Sequence, residues 1–458
     1  MSGIRQIEMR GESLSCERAL TQAFLAHGRE TPALLQQWLD NEPASWRAHA
    51  TKAMMLTLLA KRELRAPAQD ISAQAVDLLP PCPSAAERAF VEAASAAAHG
   101  AWWAAIDQLE AVIRDNPADT LAIKLSHAFR FMLGDKPGML RSIERALRAL
   151  PEDHPDAGFM LGCHAFALEE NGQYATAERV GRRAVAMEAR DAWGLHAVSH
   201  VHEMTGRVED GIRWIEGRDH VFGACNNFGG HLFWHLALFK LEKGQIGDVL
   251  ALYDEKIRSE KTDDFRDIAN AASLLSRLGH EGVDVGSRWE ELADKAEARL
   301  DDRSLVFADL HYLLALLGAG RQEAAARLAD SLAGTAPAHA SQGLAARQAG
   351  RLVARGLIAF RNGRTGEALD HLLPARASLV LIGGSDAQRD VFEQVLIESA
   401  LRSGESQLAR SILSKRLAER GGQNRFASER LGRLMQAETR PRGILAVAAA
   451  LAFAQPAH

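Results

Sequence analysis

The chain has 458 residues, 47% hydrophobic and 25% charged, a balance that excludes disorder and leaves ample length for a buried core. A net charge of −5 with no basic run offers no footprint for nucleic acid, and four cysteines (Cys16, Cys82, Cys163, Cys225) without a CxxC pair make neither a disulfide framework nor a thiolate metal site. The opening MSGIRQIEMRGE lacks the apolar core of a signal peptide, and no apolar run reaches the ~20 residues of a membrane span, so the sequence reads as cytoplasmic with no membrane partner.

Aromatic residues are only 6% of the chain, with three tyrosines against abundant Ala and Leu, which disfavours β structure and predicts an all-α fold. Residues 1–95 read as an irregular N-terminal helical cap: SCERALTQAFLAHG and SWRAHATKAMMLTLLAKREL carry apolar residues at helical spacing, and the proline cluster LLPPCPSAAE (78–87) interrupts the chain after them. From 96 to 415 a phrase recurs: a helical segment, a Gly, then a small residue five positions later. It reads HGAWWAAIDQLEAV at Gly100, ENGQYATAERV at Gly172, MTGRVEDGIRWI at Gly206 and RNGRTGEALDHL at Gly363. The glycines at 100, 134, 172, 206, 244, 282 and 320 are 34 or 38 apart, which is the period of the tetratricopeptide repeat. Each Gly lets the chain turn between antiparallel helices A and B, and the small residue lets them approach. About eight such hairpins stack into a right-handed superhelix with helices A on the concave face. Residues 416–458, including the apolar run GILAVAAALAFA (443–454), form the C-terminal helical cap.

The unusual chemistry lies in helices A. His127, His164, His200 and His235 follow one another at steps of 37, 36 and 35, and His311 stands 76 further on, two repeats away. His196/His200 and His231/His235 are both HxxxH, which places each pair on one helix face, and the two pairs are displaced by 35. Counting from the turn glycine directs His196, His200 and Glu203 into the groove and turns His235 towards the seam between helices. Side chains of His200, His231, His235 and His311 are expected in one shared cavity. The pairs are candidate ligands for a divalent transition metal, with Glu203 or Asp309 as an oxygen ligand or general base; equally they are core histidines bonded to their neighbours. Position 197 is Ala, so there is no HExxH.

Further along, GGSDAQRDVF (383–392) reads as a glycine loop and N-cap, with Asp386 and Arg389 either in structural ion pairs or closing the groove with Arg389 on an anion. Trp193, Trp214 and Trp289 read as packing; Trp234, between the paired histidines, reads as part of the site. Cys225, on the connector 218–230, is more readily an incidental thiol than a nucleophile.

The stretches LAIKLSHAFRFMLG, DAWGLHAVSHVHEM, HLFWHLALFKLEKG, GVDVGSRWEEL, LVFADLHYLLALLG and LIGGSDAQRDVF, in this order across most of 100–410, resemble the tetratricopeptide repeat protein 38 family. The resemblance implies the all-helical repeat fold and carries no reaction with it. Its motif positions are His127, His200, His202, Glu203, His231, Trp234, His235, Asp309, His311, Asp386, Gln388, Arg389 and Asp390.

Together these residues describe a groove that binds a small polar ligand or short peptide through His127, His164, His196, His202, His231, Trp234, His311, Asp386 and Arg389. The alternative is a hydrolase or lyase, with or without metal, using His200, His235, Glu203 and Asp309.

Overall fold

The computed structural model describes residues 15–333 and 340–439. Among them all regular structure is helical, and the β pairing is one isolated bridge between Gly28 and Cys225. Helices at 15–25, Thr31–Asn41, Trp46–Leu58 and Arg65–Asp77 come first. Nine antiparallel helix pairs follow among the described residues, from Ala85–Ala98 with Trp102–Asp115 to Asp386–Arg402 with Ser406–Glu419. The inner helices that matter below are α1 (Thr120–Leu133), α2 (Ala157–Glu170), α3 (Ala192–Met204), α4 (Phe228–Glu242), α5 (Phe265–His280), α6 (Val306–Gly318) and α7 (Asp386–Arg402). No described helix is long and apolar enough to cross a membrane, and the apolar run 443–454 lies outside the described residues.

The glycine ladder works as its spacing predicts. Gly100, Gly134, Gly172, Gly206, Gly244, Gly282, Gly320, Gly363 and Gly404 all have φ between 69° and 85°, the left-handed region that costs an L-residue about 1–2 kcal/mol. Two of these turns separate conformational from steric cost. A Cβ at Gly172 meets open space, whereas one at Gly134 runs into the Val380 carbonyl. Gly172→Ala should therefore lose about 1 kcal/mol and Gly134→Ala at least about 2 kcal/mol in urea unfolding. Equal losses would mean that the turn at Gly134 does not pack against Val380.

Long-range ion pairs close the array upon itself. Lys61 holds Asp263 at 2.6 Å, Arg299 holds Glu63 at 2.6 Å, and Lys136 holds Asp386 at 2.6 Å. The inner helices are consequently covered on all sides: every residue of Ala192–His202 and of Val306–Leu317 is buried. The N-terminal helices lay apolar side chains into the groove between the inner helices. Phe24, Leu35, Met55 and Leu59 from this segment share a cavity wall with α1, α3 and α4.

Candidate metal centre and the cavity beside it

The two HxxxH pairs meet where α3 packs against α4. Asp191 caps α3 by accepting from the Gly194 amide at 3.1 Å, which fixes where the helix starts and so which way His196 and His200 point. His196 Nε2 lies 2.9 Å from His231 Nε2 and 2.8 Å from His200 Nε2. One nitrogen from each of His196, His200, His231 and His235 falls within 4.8 Å of the others, and all four rings are buried.

The outer nitrogens decide what this cluster is. His231 Nδ1 lies 2.9 Å from Asn270 Oδ1 on α5, and His235 Nδ1 lies 3.1 Å from Glu203 Oε2 on α3. His200 Nδ1 lies 3.3 Å from Glu169 Oε2 on α2. An oxygen at Nδ1 keeps the ring proton there and leaves Nε2 bare, its lone pair directed inward. His196, whose Nδ1 has no partner, can place its proton on Nε2 and donate it to His200 or His231, which satisfies one inner lone pair. The remaining inward lone pairs have no protein donor, and a cation among them would satisfy all four rings at once. Glu169 points the same way: it is buried, and apart from the facing His200 ring neither of its oxygens has a hydrogen-bond partner. Burial pushes the Glu169 carboxyl up to about 7, so it is held either by a proton or by a positive charge nearby, which a protonated His200 or a cation on the quartet would supply.

The electrostatics leave most of the rings ready to ligate. Burial, reinforced by the neighbouring imidazoles, holds His196 and His231 well below the ordinary histidine pKa. His235 is lowered by burial together with His200 and Arg277. His200 differs: burial lowers it, but the Glu169 charge outweighs that and raises it. Burial raises Glu203, opposed by His200 and Arg277. Two nitrogens about 2.05 Å from one ion sit roughly 2.9 Å apart at right angles and roughly 3.4 Å apart in a tetrahedron, so the observed 2.8 and 2.9 Å pairs match the right-angle arrangement.

Beside this cluster lies a cavity of about 530 Å³, within the size range of small-molecule sites. His127, His196 and His231 reach its wall; His200, His235, Glu203, Asp309, His311 and Trp234 do not. Glu203 lines instead a small cavity of about 60 Å³ with Arg277, Asp390, Arg416 and Arg420. Trp234 is buried behind the quartet, stacked on His231 at 5.2 Å.

The remaining expected site residues are dispersed. His311 bonds the Phe307 carbonyl through Nδ1 at 2.7 Å and packs on Phe307 and Phe392, away from the shared cavity expected for it, because its face of α6 turns to α7. Asp309 is buried near Asp302, with its carboxyl pushed up to about 7 by burial and that neighbour. His164 is half-buried, 3.9 Å from Glu144, and His202 faces Arg182 at 3.5 Å on the outer helix. Arg389 is committed to structure: it donates to the Gly383 and Gly384 carbonyls and pairs with Asp386 at 2.5 Å and Glu170 at 3.5 Å. The Ser385 capping box with Gln388 opens α7, and Gly384 is demanded there because a Cβ would overlap the Phe307 ring. All four cysteines are free; burial pushes the Cys225 thiol up to about 12, and its Sγ bonds the Val221 carbonyl at 3.3 Å, which leaves no nucleophile there.

Four residues that matter lie outside the expected set: Glu169, Asn270, Lys124 and His27. The first two carried a signal, since Glu169 precedes Glu203 by 34 positions and Asn270 follows His235 by 35, each one repeat. Lys124 and His27 carried none, because a lysine on a helix and a histidine in a turn read as surface groups.

The order of helices and the turn glycines define the class: an all-α helical-repeat superhelix. No family model matches the chain. Among solved structures it is similar to a human IFIT1 dimer with PPP-AAAA, at 15% identity and a TM-score of 0.42 over 90% of this chain and 95% of that one. A human IFIT1 dimer with m7Gppp-AAAA gives 14% identity and a TM-score of 0.39 over 90% and 95%. Naa15/Naa10 bound to HypK-THB gives 11% and 0.24 over 93% of this chain and 66% of that one.

Proposed function

We propose that this is a helical-repeat protein of the tetratricopeptide repeat protein 38 type that holds one divalent transition metal on His196, His200, His231 and His235, beside a cavity for an organic ligand. The observation that carries the reading is the outer contact of the rings: Asn270 and Glu203 hydrogen-bond Nδ1 of His231 and His235, and Glu169 stands 3.3 Å from His200 Nδ1 without a hydrogen bond, an arrangement like the one that orients metal-bound imidazoles and raises their basicity. The charges also balance, since a dication on four neutral imidazoles is matched by the two carboxylates. A second acidic group, Glu169 with Glu170 and His200, is the weaker candidate, because Glu170 is already engaged by Lys136 at 3.2 Å and Arg389 at 3.5 Å. Support for a hydrolase or lyase is weaker too, since His200, His235, Glu203 and Asp309 are all removed from the cavity wall.

Elemental analysis of protein purified without a His tag should find close to one transition-metal ion per chain. Stripping it with a chelator should lower the melting temperature and restoring it should reverse the loss, because a ligand bound only to the native state at a thousand times its Kd adds about 4 kcal/mol. Protein that takes up none of Zn, Cu, Ni, Co, Mn or Fe on reconstitution, and whose melting temperature none of them moves, would remove the metal centre.

A further inference from the structure

The cavity beside the quartet is apolar over most of its wall, yet its charged lining has one sign. Arg29, Lys52, Lys124 and Arg266 reach it, and no Asp or Glu does. Two of these cations are occupied. Arg266 pairs with Asp264 at 2.6 and 2.8 Å, and Arg29 donates to the Cys225 carbonyl at 2.8 Å.

Lys124 is different. It projects from α1, is buried, and among the described residues has no carboxylate within ion-pair distance. Its ammonium rests 4.5 Å over the Trp193 ring and donates to His27 Nε2 at 3.1 Å. His27 accepts because burial and the Lys124 charge hold it neutral. An indole face and a neutral imidazole solvate an ammonium only in part, and neither carries negative charge; the buried Asp191 carboxyl lies within electrostatic reach of Lys124 but makes no ion pair with it. The same Trp193 ring lies 4.9 Å from His196 of the quartet, so the unpaired ammonium and the proposed metal edge flank one indole.

We propose that the cavity binds an anionic amphipath, an organic carboxylate with an aliphatic or aryl-alkyl body, whose head pairs with Lys124 and whose body lies along the wall of Phe24, Met55 and Leu59. A small polar ligand would leave that apolar wall wet, and a cationic one would meet a wall that carries Lys124, Lys52 and Arg29 and no carboxylate. A peptide would bring backbone amides against a wall with few polar partners for them. The proposal rests on reading the cavity as the ligand compartment next to the metal, but its chemistry comes from Lys124 and can be tested apart from the ion.

The test uses full-length protein without a His tag and a panel matched in chain length: decanoate, decanol and decylamine below micellar concentration, with 3-phenylpropionate and 3-phenylpropanol as the aryl pair. Binding is read by calorimetry and by melting temperature, and metal content is measured on the same samples. Each carboxylate should bind at least tenfold more tightly than its alcohol, and the amine should not bind. Lys124→Met should erase the carboxylate preference while leaving alcohol binding in place, and Lys124→Arg should keep part of it. Equal affinity for acid and alcohol, preference for the amine, no binding of any carboxylate, or an unchanged preference in Lys124→Met would each overturn the proposal. Should Lys124→Met fail to fold, the acid–alcohol comparison on the wild-type protein decides alone. A carboxylate preference in protein that takes up no metal on reconstitution removes the metal centre and leaves this proposal standing; metal without the preference does the reverse.

Discussion

His231→Ala should lower metal affinity by well over a hundredfold, enough to leave the purified protein without its ion. Replacing an outer-shell partner of a metal-bound histidine commonly costs 10–100-fold, and here a ligand itself is lost. His231 is the sharpest choice because its Nε2 lies 2.9 Å from His196 Nε2 while its Nδ1 is anchored on Asn270, which holds the ring in its ligating orientation. Glu203→Gln, which keeps the shape and removes the charge beside His235, should show the smaller 10–100-fold loss. The stability readout separates this from a packed histidine core. Without metal the His196 Nε2 proton can match only part of the inner lone pairs, so His200→Ala with His235→Ala should melt within a few degrees of the metal-free parent. A merely structural cluster would lose roughly 1–3 kcal/mol at each position. The rings are neighbours, so both single variants belong beside the double. A large and additive loss in metal-free protein would count against the site.

Asp390→Ala should be among the most destabilising single changes, at about 3–5 kcal/mol. Asp390 on α7 is buried and gathers Arg416 at 2.9 Å, Arg420 at 3.3 Å and Arg277 at 3.7 Å, with Gln394 donating at 2.8 Å. Removing the carboxylate leaves like charges facing one another in a dry site, although Arg416 keeps Asn424 at 2.9 Å. Exposed pairs such as Arg213 with Asp210 should cost no more than about 1 kcal/mol by comparison. The pH dependence has a definite sign. Burial alone would raise the Asp390 pKa, but Arg416, Arg420 and Arg277 outweigh it and hold the carboxyl well below the usual carboxylate range. Its contribution is therefore present in full above the unfolded value near pH 4 and is lost as pH falls further through the folded value. Denaturant unfolding at pH 7, 5 and 3 should show wild type losing more stability on acidification than Asp390→Asn; parallel curves would argue that the network is not coupled to folding.

Asp390 also bears on what the repeat motif means. It stands in the stretch LIGGSDAQRDVF with Asp386 and Arg389, and all three are absorbed by ion pairs that join α7 to its neighbours. Part of that motif is thus structural, whereas the HxxxH part is not exhausted by packing.

The sequence by itself determined the hairpins and the pairing of histidines, because both are local. A turn that needs positive φ selects Gly at each repeat, and i, i+4 residues share a helix face wherever the helix lies. The one-repeat displacement of the two pairs likewise brought them onto adjacent helices. Tertiary structure alone decided the rest. The ion pairs from Lys61 to Asp263 and from Lys136 to Asp386 join residues about 200 and 250 positions apart and close the array. With that closure helices A are buried, and His311 packs on Phe307 and on Phe392 of the neighbouring helix instead of joining the quartet. His202 is turned away locally, two residues from His200 on the same helix. Tertiary packing also brings neutral His27 to within 3.1 Å of Lys124, so the ammonium at the cavity wall is held by a ring nitrogen and not by a carboxylate. Local periodicity says which face of a helix a side chain occupies; which neighbour covers that face depends on contacts between distant segments, and no short-range pattern encodes them.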